Sequence, residues 1–389
     1  MMMLKSLVLK KKHLMLGSLL AVAGLSFCNC AMAQDSVFQL EADLNNFGDT
    51  LLVYRGRDAK TDTVLKKDGR FVYSATIKTP VGVILMSPGT FRHEERKLVR
   101  LVSVPGEKAI LKGDVEGQYD ITGSAFYVQY GAITRMLEEA DKPLDDLERS
   151  VQEQVEKGAD QLTLIQQANE KVEQLEKERE EKLLAYIKQH GNEEASAVLI
   201  NQFDSSEKME KAVALLSESV KNGRMRYYYQ PALKQMKARE LTEAKAAKVQ
   251  ASGVEAPDFT LKDIKGNDFT LSSLRGKYVI LDFWGSWCIW CIKGMPQMKD
   301  YYQKYAGKFE IVGVDCNDTE AKWKAAVEKH QLPWKHVYNK RGDANDVCEK
   351  YAIQGFPTKI ILSPEGKIVK TIVGEDPAFY SFLDELFGK

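Results

Sequence analysis

Hydrophobic positions change their period twice along the chain, at about residue 125 and again at about residue 252. Before residue 125, short runs of alternating apolar and polar residues predict β-strands. These runs cover residues 37–40, 50–54, 70–73 and 108–111, and Gly and Pro residues punctuate them. Several short strands separated by turn residues are typical of a sandwich or a small barrel. We therefore predict a β-sandwich-like N-terminal domain.

Between residues 125 and 250 the apolar positions recur every three or four residues, which predicts helices. The clearest example is formed by Leu162, Ile165, Ala168, Val172 and Leu175. A run of mixed charges follows at 176–182, and it is best interpreted as the solvated face of a helix. A contact helix for a partner or a dimer stays open as an alternative. The sequence thus predicts a helical middle segment.

From about residue 252 strands and helices alternate, which is typical of an α/β sheet with helices on both faces. A nearly continuous apolar run at 278–283 predicts a buried central strand. Further strands are predicted at 309–314, 358–362 and 367–373, a hairpin turn at 265–267, and helices from about Cys288 and at 319–330, 343–351 and 377–387. With the two changes of period, this pattern predicts domains at 34–124, 125–250 and 251–389.

Residues 1–33 have the layout of a secretory signal peptide: a positive start, an apolar stretch at 14–27 and a small-x-small site ending at Ala33. The apolar stretch is short of the roughly 20 residues that span a bilayer, which disfavours a membrane anchor. Lipidation at Cys28 or Cys30 is a second alternative, but neither follows a small residue. We predict cleavage after Ala33, export, most simply to the periplasm, and no transmembrane segment in the mature chain.

Charge and cysteine counts change once this segment is removed. The 389-residue chain has 55 basic and 55 acidic residues, and loss of four Lys leaves 51 basic residues and a net charge of −4. A mildly acidic chain does not favour a nucleic-acid partner. Two of the six Cys are also lost, and the remaining four are too few for a disulfide scaffold.

The candidate chemistry lies in the Cys-x-x-Cys formed by Cys288 and Cys291, where the buried strand meets a helix. A metal site needs a second pair of ligands, and no such pair with metal spacing is present. A redox pair needs only the two residues, which share one face of a helix. The helix N-terminus favours an anion, so Cys288 is expected to be the attacking thiolate and Cys291 the resolving thiol.

Several motifs in this region resemble those of the thioredoxin-like superfamily. Residues 281–291, with Pro296, resemble its active-site segment, and residues 355–358 resemble its cis-proline loop. The opening at 256–259 and an added helix after the strand at 309–314 are similar to the TlpA/ResA-like branch of exported thiol-disulfide oxidoreductases. The resemblance covers about 252–389 and implies a thioredoxin-like fold there. The β-rich region more loosely resembles a module that precedes such domains in envelope proteins.

The resemblance also implies roles for single residues. Asp282 matches a buried carboxylate that accepts the proton of Cys291, although a hydrogen-bonded polar residue at a strand end is the alternative. Pro357 is expected to be cis. The residues implied in substrate binding are Trp287, Ile289, Trp290, Phe356, Pro357 and Thr358.

Two departures from the family pattern stand out. The dipeptide between the cysteines is Ile289-Trp290, and Gly313 occupies a position where thioredoxins often have Lys. Cys316 and Cys348 lack Cys-x-x-Cys spacing. They are open to three interpretations: a second disulfide, buried thiols or an auxiliary redox pair. We favour buried or structural cysteines.

The sequence therefore predicts a thiol-disulfide oxidoreductase, and the TlpA/ResA-like resemblance favours reduction of protein disulfides, for instance in cytochrome c maturation. Its partners would be protein thiols or disulfides and an upstream electron donor, and no cofactor or metal is expected beyond the Cys288–Cys291 disulfide. One alternative is a disulfide isomerase or oxidase of the envelope, and another is a non-catalytic envelope binding protein with a structural disulfide. A peroxiredoxin is disfavoured because the Pro-x-x-x-Thr-x-x-Cys motif is absent.

Overall fold

The computed structural model describes residues 36–56, 60–159 and 161–388. The predicted signal segment, 1–33, lies outside the described residues. The chain divides into two compact units, Met1–Lys237 and Ala238–Lys389, and this division falls within a helix. The three-domain division drawn from the sequence stays a prediction.

Two four-stranded sheets open the first unit. Their strands are β1 (Ser36–Asn45), β2 (Thr50–Arg55), β3 (Lys60–Leu65), β4 (Phe71–Ile77), β5 (Val81–Met86), β6 (Leu98–Ser103), β7 (Lys108–Asp114) and β8 (Tyr119–Gly123), with a short helix α1 (Pro88–Phe91) between β5 and β6. The strand orders are β4-β1-β7-β8 and β3-β2-β5-β6. Apolar residues on alternate positions of both sheets, such as Leu40 and Leu51, join one core. This confirms the predicted β-rich N-terminal region.

Helices follow the sheets, as the change of period predicted. They are α2 (Ala125–Glu156), α3 (Gln161–His190), α4 (Ser206–Ala214), α5 (Glu218–Asn222) and α6 (Arg226–Val249), with a 3-10 segment at Glu194–Gln202. The first turns of α2 bury an aromatic stripe against the sheets. Within it, Tyr127 is fully buried and its hydroxyl donates a hydrogen bond to the carbonyl of Val102 at 2.7 Å. Because that hydroxyl has a partner, its burial costs little.

The second unit contains a seven-stranded sheet. Its elements are β9 (Thr260–Asp263), β10 (Asp268–Thr270), β11 (Tyr278–Trp284), α7 (Ile289–Lys304), β12 (Phe309–Asp315), α8 (Glu320–His330), β13 (Lys335–Tyr338), α9 (Val347–Lys350), β14 (Thr358–Leu362), β15 (Ile368–Val373) and α10 (Pro377–Phe387). The strand order is β10-β9-β13-β12-β11-β14-β15. Strands β11, β12 and β13 are parallel, whereas β14 runs antiparallel to β11.

Alternate residues of β11 serve two separate cores, which is why this strand is apolar on both faces, with Asp282 as the exception. Ile280 and Trp284 join the core that includes α7, α8 and α10. Leu281 and Phe283 join the core on the opposite face, which includes α9. The predicted sheet with helices on both faces is confirmed. All five tryptophans of the chain belong to this unit, between residues 284 and 334.

One predicted helix is wrong in extent. The sequence pattern predicted a helix at 343–351, but α9 begins only at Val347. The Asp346 carboxylate explains the late start, since it accepts hydrogen bonds from the backbone N–H of Gly342 and of Glu349. It therefore closes the preceding loop and caps the helix at once. Among the described residues, no helix has both the length and the apolar character needed to cross a membrane.

Candidate active site

Cys288 and Cys291 form a disulfide at the N-terminus of α7. Cys288 is the N-cap residue, and its Sγ accepts a hydrogen bond from the backbone N–H of Cys291 at 3.1 Å. Both side chains are only 5% exposed. The sulfur of Cys288 thus faces the unpaired N–H groups of the first helical turn, which stabilise negative charge there.

Large apolar side chains surround this disulfide on the surface. Trp287, Ile289 and Trp290 are 49%, 67% and 56% exposed. The Trp287 ring packs edge-on against Phe356, with 5.2 Å between the ring centres. Apolar groups exposed together in this way are typical of a contact surface for another protein.

The loop before β14 lies beside this surface. The Phe356–Pro357 peptide bond is cis, as the resemblance implied. Thr358, by contrast, is buried, and its hydroxyl donates to the carbonyl of Gly355 at 2.8 Å. The structure therefore brings Phe356 to the exposed tryptophan and directs the Thr358 hydroxyl inward.

A hydrogen-bonded frame fixes the segment that precedes Cys288. Asp318 accepts hydrogen bonds from both the backbone N–H and the hydroxyl of Ser286, each at 2.6 Å. The indole N–H of Trp287 donates to the carbonyl of Cys316 at 3.0 Å. A side chain at Gly285 would collide with that carbonyl and with the Trp287 ring, so only glycine fits there. The frame holds the exposed tryptophan in one orientation.

Asp282 lies on β11 two residues before Trp284, on the sheet face that packs against α7. It is 5% exposed, and its Oδ1 has no hydrogen-bond partner among the described residues. Burial raises the pKa of this carboxyl to about 6, with Lys359 acting in the opposite direction and Glu375 adding to the rise. A carboxyl with this pKa can exchange a proton near neutral pH.

Three further titratable residues near the site, Lys359, Glu375 and Asp315, were not predicted from the sequence. Lys359 is 1% exposed, and its Nζ contacts the carboxylate of Glu375 at 2.9 Å. Asp315 is fully buried at the end of β12, and burial together with the neighbouring Asp318 raises its pKa to about 8. The detectable signal was a lysine inside the apolar strand Thr-Lys-Ile-Ile-Leu.

The other two cysteines also pair. Cys316, directly after β12, and Cys348, in α9, form a second disulfide that closes a loop of 32 residues. They are 0% and 1% exposed, and both belong to the core on the face opposite α7. Of the three interpretations left open by the sequence, the structure contains the disulfide.

Removing the second disulfide should destabilise this unit. A cross-link stabilises in proportion to the logarithm of the loop it closes, and this loop spans 32 residues against 3 for the Cys288–Cys291 pair. We expect the free energy of unfolding to fall by about 2 kcal/mol more in Cys316→Ala/Cys348→Ala than in the matched control Cys288→Ala/Cys291→Ala. Hydrogen exchange of the β11 and β12 amides in urea measures both losses. Equal losses would contradict this prediction.

The described residues contain no group of three or more His, Cys, Asp or Glu arranged to hold a metal ion. The groups that the fold brings to this side of the sheet are the two sulfurs at the N-terminus of α7, the Asp282 carboxyl on the face of β11 that packs against α7, and the exposed apolar side chains beside the disulfide.

Comparison with known proteins places this region among thioredoxin-like proteins. The model of the AhpC/TSA family matches residues 252–371. The thiol-disulfide oxidoreductase ResA of Bacillus cereus is 36% identical over 124 residues, which are 32% of this chain and 70% of the relative. ResA of Bacillus subtilis is 32% identical over 125 residues, 32% of this chain and 68% of the relative.

Two solved structures are each similar to about a third of the chain. The thioredoxin domain of a thiol-disulfide oxidoreductase from Bacteroides vulgatus is 38% identical, covers 35% of this chain and 98% of its own, and aligns with a TM-score of 0.33. A thiol:disulfide interchange protein from Bacteroides sp. is 36% identical over 36% of this chain and 93% of its own, with a TM-score of 0.34.

The C-terminal unit is thus a thioredoxin-like domain in fold and in sequence. The chain belongs to the ResA-like thiol-disulfide oxidoreductases and is an enzyme of that class.

Proposed function

We propose that this chain is an exported, periplasmic enzyme that reduces disulfides in other proteins through Cys288 and Cys291. The observation that carries the proposal is the position of the Cys288 sulfur, at the N-cap of α7, bonded to Cys291 and surrounded by exposed apolar side chains. A sulfur at a helix N-terminus is poised to act as a thiolate, and an apolar rim suits a protein substrate.

Electrons and protons balance over two steps. In the reduced enzyme, the Cys288 thiolate attacks one sulfur of a substrate disulfide, and the electron pair of that broken bond leaves with the other substrate sulfur, which takes up a proton. Cys291 then gives its proton to the Asp282 carboxylate and attacks the Cys288 sulfur. The mixed disulfide breaks, the Cys288–Cys291 disulfide forms, and the second substrate sulfur leaves as a thiolate. An upstream electron donor returns two electrons to the pair.

Substrate binding in this proposal uses the exposed surface. Trp287, Ile289 and Trp290 contact apolar side chains around the substrate disulfide. In the Phe356-Pro357-Thr358 segment, the backbone groups of Phe356 are offered to an extended substrate strand. The close packing of Trp287 against Phe356 supports this arrangement, because it joins the apolar side chains beside the disulfide to the loop that contains the cis-proline.

Export and domain organisation belong to the same proposal. The layout of residues 1–33 supports export, and the match of the family model to residues 252–371 supports a chemical role confined to the segment 251–389. The regions 34–124 and 125–250 would then serve other purposes, such as contact with an envelope partner. Reduction during cytochrome c maturation is one setting in which an enzyme of this kind acts.

A trapping experiment tests the function. In Cys291→Ala, the Cys288 thiolate can still attack a substrate, but the mixed disulfide has no resolving thiol and should accumulate. We expect covalent adducts with envelope proteins that dithiothreitol releases, and their identification by mass spectrometry names the substrates. The double variant Cys288→Ala/Cys291→Ala is the matched control. Absence of adducts from the single variant would contradict the proposal.

The direction of electron flow separates reduction from the alternatives. A disulfide isomerase or oxidase would have a Cys288–Cys291 pair with a higher, more oxidising reduction potential than a reductase. A purely structural disulfide would have a reduction potential far below about −300 mV. Equilibration of the pair with glutathione and dithiothreitol measures the potential. Peroxide consumption without protein adducts would instead favour the peroxiredoxin alternative.

A further inference from the structure

Asp282 lies in a row of polar positions that crosses four neighbouring strands. Lys359 of β14 is directly opposite Asp282 on one side, and Gly313 of β12 is opposite on the other. His336 of β13 continues the row beyond Gly313. Directly opposed residues of neighbouring strands direct their side chains to the same face of the sheet. The Lys359 and Asp282 side chains therefore both face the layer that contains α7.

His336 explains why no lysine occupies position 313. A Cβ atom at Gly313 would lie 2.6 Å from Nδ1 of His336, so any side chain there would collide with the imidazole ring. The cation beside Asp282 comes from the opposite neighbouring strand instead. Lys359 is 1% exposed, and a lysine is rarely buried to this extent unless it is paired.

Glu375 is the partner of this buried cation. Its carboxylate accepts a hydrogen bond from Nζ of Lys359 at 2.9 Å and another from the hydroxyl of Tyr380 at 2.9 Å. The same carboxylate lies against Gly294, where a Cβ atom would approach it to 2.3 Å. Gly294 is one helical turn beyond Cys291 in α7, so the absence of a side chain at this position lets Glu375 reach the helix that carries the resolving cysteine.

Few of the groups near Asp282 are charged at neutral pH. From β13, His336 has a pKa lowered to about 4 by burial, so it is neutral. From α10, Tyr380 has a pKa raised by burial and by Glu375, so it is also neutral. Asp315, further along β12, has a pKa raised to about 8 and is mostly protonated at pH 7. From α7, the titratable groups are Cys288 and Cys291, which are joined in a disulfide and carry no charge. Lys359 and Glu375 thus remain as the charges that act on Asp282, with opposite sign.

We propose that Lys359 and Glu375 are positioning residues that together set how readily Asp282 accepts the proton of Cys291. The Lys359 ammonium favours the carboxylate form of Asp282, and Glu375 weakens that effect because it pairs with the same ammonium. The proton moves from the Cys291 sulfur to Asp282, and the Cys291 thiolate then displaces the substrate sulfur from Cys288. This inference rests on the proposed function, since it concerns the second step of that reaction.

Two single variants should move the titration of Asp282 in opposite directions. Lys359→Met removes the favourable cation, so the pH midpoint of the Asp282 carboxyl should rise. Glu375→Gln leaves Lys359 unopposed, so the midpoint should fall, each shift being about one pH unit. The midpoint is measured in the oxidised full chain by the NMR shift of ¹³C-labelled aspartate carboxyls, with Asp282→Asn identifying the signal. The pH midpoint of substrate release from Cys288 should follow both shifts.

Controls separate this electrostatic role from a merely structural one. Lys370→Met is matched to Lys359→Met, because Lys370 lies on the adjacent strand β15 with its Nζ 4.4 Å from the centre of the Phe382 ring. The charges that shift the pKa of Asp282 are those of Lys359 and Glu375. Lys370→Met should therefore leave both midpoints unchanged. Lys359→Arg keeps the charge and should stay within a few tenths of a pH unit of the parent chain. The double variant Lys359→Met/Glu375→Gln removes both charges and should return the midpoint towards that of the parent chain.

The inference would be overturned if Lys359→Met and Glu375→Gln shifted the pH midpoint of Asp282 equally or in the same direction. It would also be overturned if the midpoint of Asp282 shifted and the pH midpoint of substrate release did not. The carboxyl titration is read without turnover. A failure to find mixed disulfides in Cys291→Ala would therefore overturn the proposed function through a different measurement.

Discussion

Replacing Cys288 with alanine should lower the rate of protein-disulfide reduction by at least about 1000-fold, the scale of loss when an enzyme's nucleophile is removed. The described residues include no other cysteine at the N-terminus of a long helix. Cys316 and Cys348 are fully buried and bonded to each other, so neither can substitute for Cys288. Turnover of a model protein disulfide coupled to a dithiol donor measures the loss.

Cys316→Ala/Cys348→Ala is the appropriate control for this result. It removes the same number of sulfurs as Cys288→Ala/Cys291→Ala but leaves the pair at α7 intact, so we expect it to retain most of the activity at temperatures where it is folded. If Cys288→Ala retained the activity of the parent chain, the assignment of Cys288 as the attacking thiolate would be wrong.

Replacing Asp282 with asparagine should slow the release of substrate from Cys288 by about 100-fold to 1000-fold near neutral pH. Since the pKa of Asp282 is raised to about 6, the carboxylate that accepts the Cys291 proton is lost as the pH falls through about 6. In the parent chain, release should therefore rise between about pH 5 and pH 7 and then level off. Asparagine accepts no proton, so this rise should disappear. Single-turnover release of a fluorescent peptide measures both effects.

Asp300→Asn provides the comparison for Asp282→Asn. Asp300 lies on α7, like the resolving cysteine, but it is exposed and distant in sequence from the disulfide. It should keep both the rate and the pH dependence. A normal pH profile in Asp282→Asn would mean that Cys291 loses its proton elsewhere.

The C-terminal fold was largely predictable because local patterns and tertiary contacts agree there. The apolar run at 278–283 became β11, and the predicted last helix at 377–387 matches α10. The predicted helix at 343–351 was too long because a single carboxylate, Asp346, closes a loop and caps α9, and periodicity does not register such a contact. In the first unit, edge strand β3 was not identified, since its residues Lys-Thr-Asp-Thr-Val-Leu are mostly polar.

The cysteine pair could be identified from spacing alone, whereas the charges around Asp282 could not. Lys359 and Glu375 are far from Asp282 in sequence and approach it only because β14 pairs with β11 and because the segment after β15 returns to α7. The pairing register decides which residues of different strands are opposite each other, and sequence periodicity leaves that register open. The roles of these residues, like those of Cys288, Cys291 and Asp282, stay predictions.

The confinement of all five tryptophans to residues 284–334 has a practical consequence for optical spectroscopy. Indole emission excited near 295 nm comes from the C-terminal unit alone, while the tyrosines of the first unit stay dark at that wavelength. Trp287 and Trp290 each directly precede one cysteine of the Cys288–Cys291 disulfide in sequence, and a disulfide quenches nearby indole emission. The tryptophan emission of the unlabelled chain therefore reports the redox state of the Cys288–Cys291 pair. The same emission follows the denaturation of the C-terminal unit separately from that of the first unit.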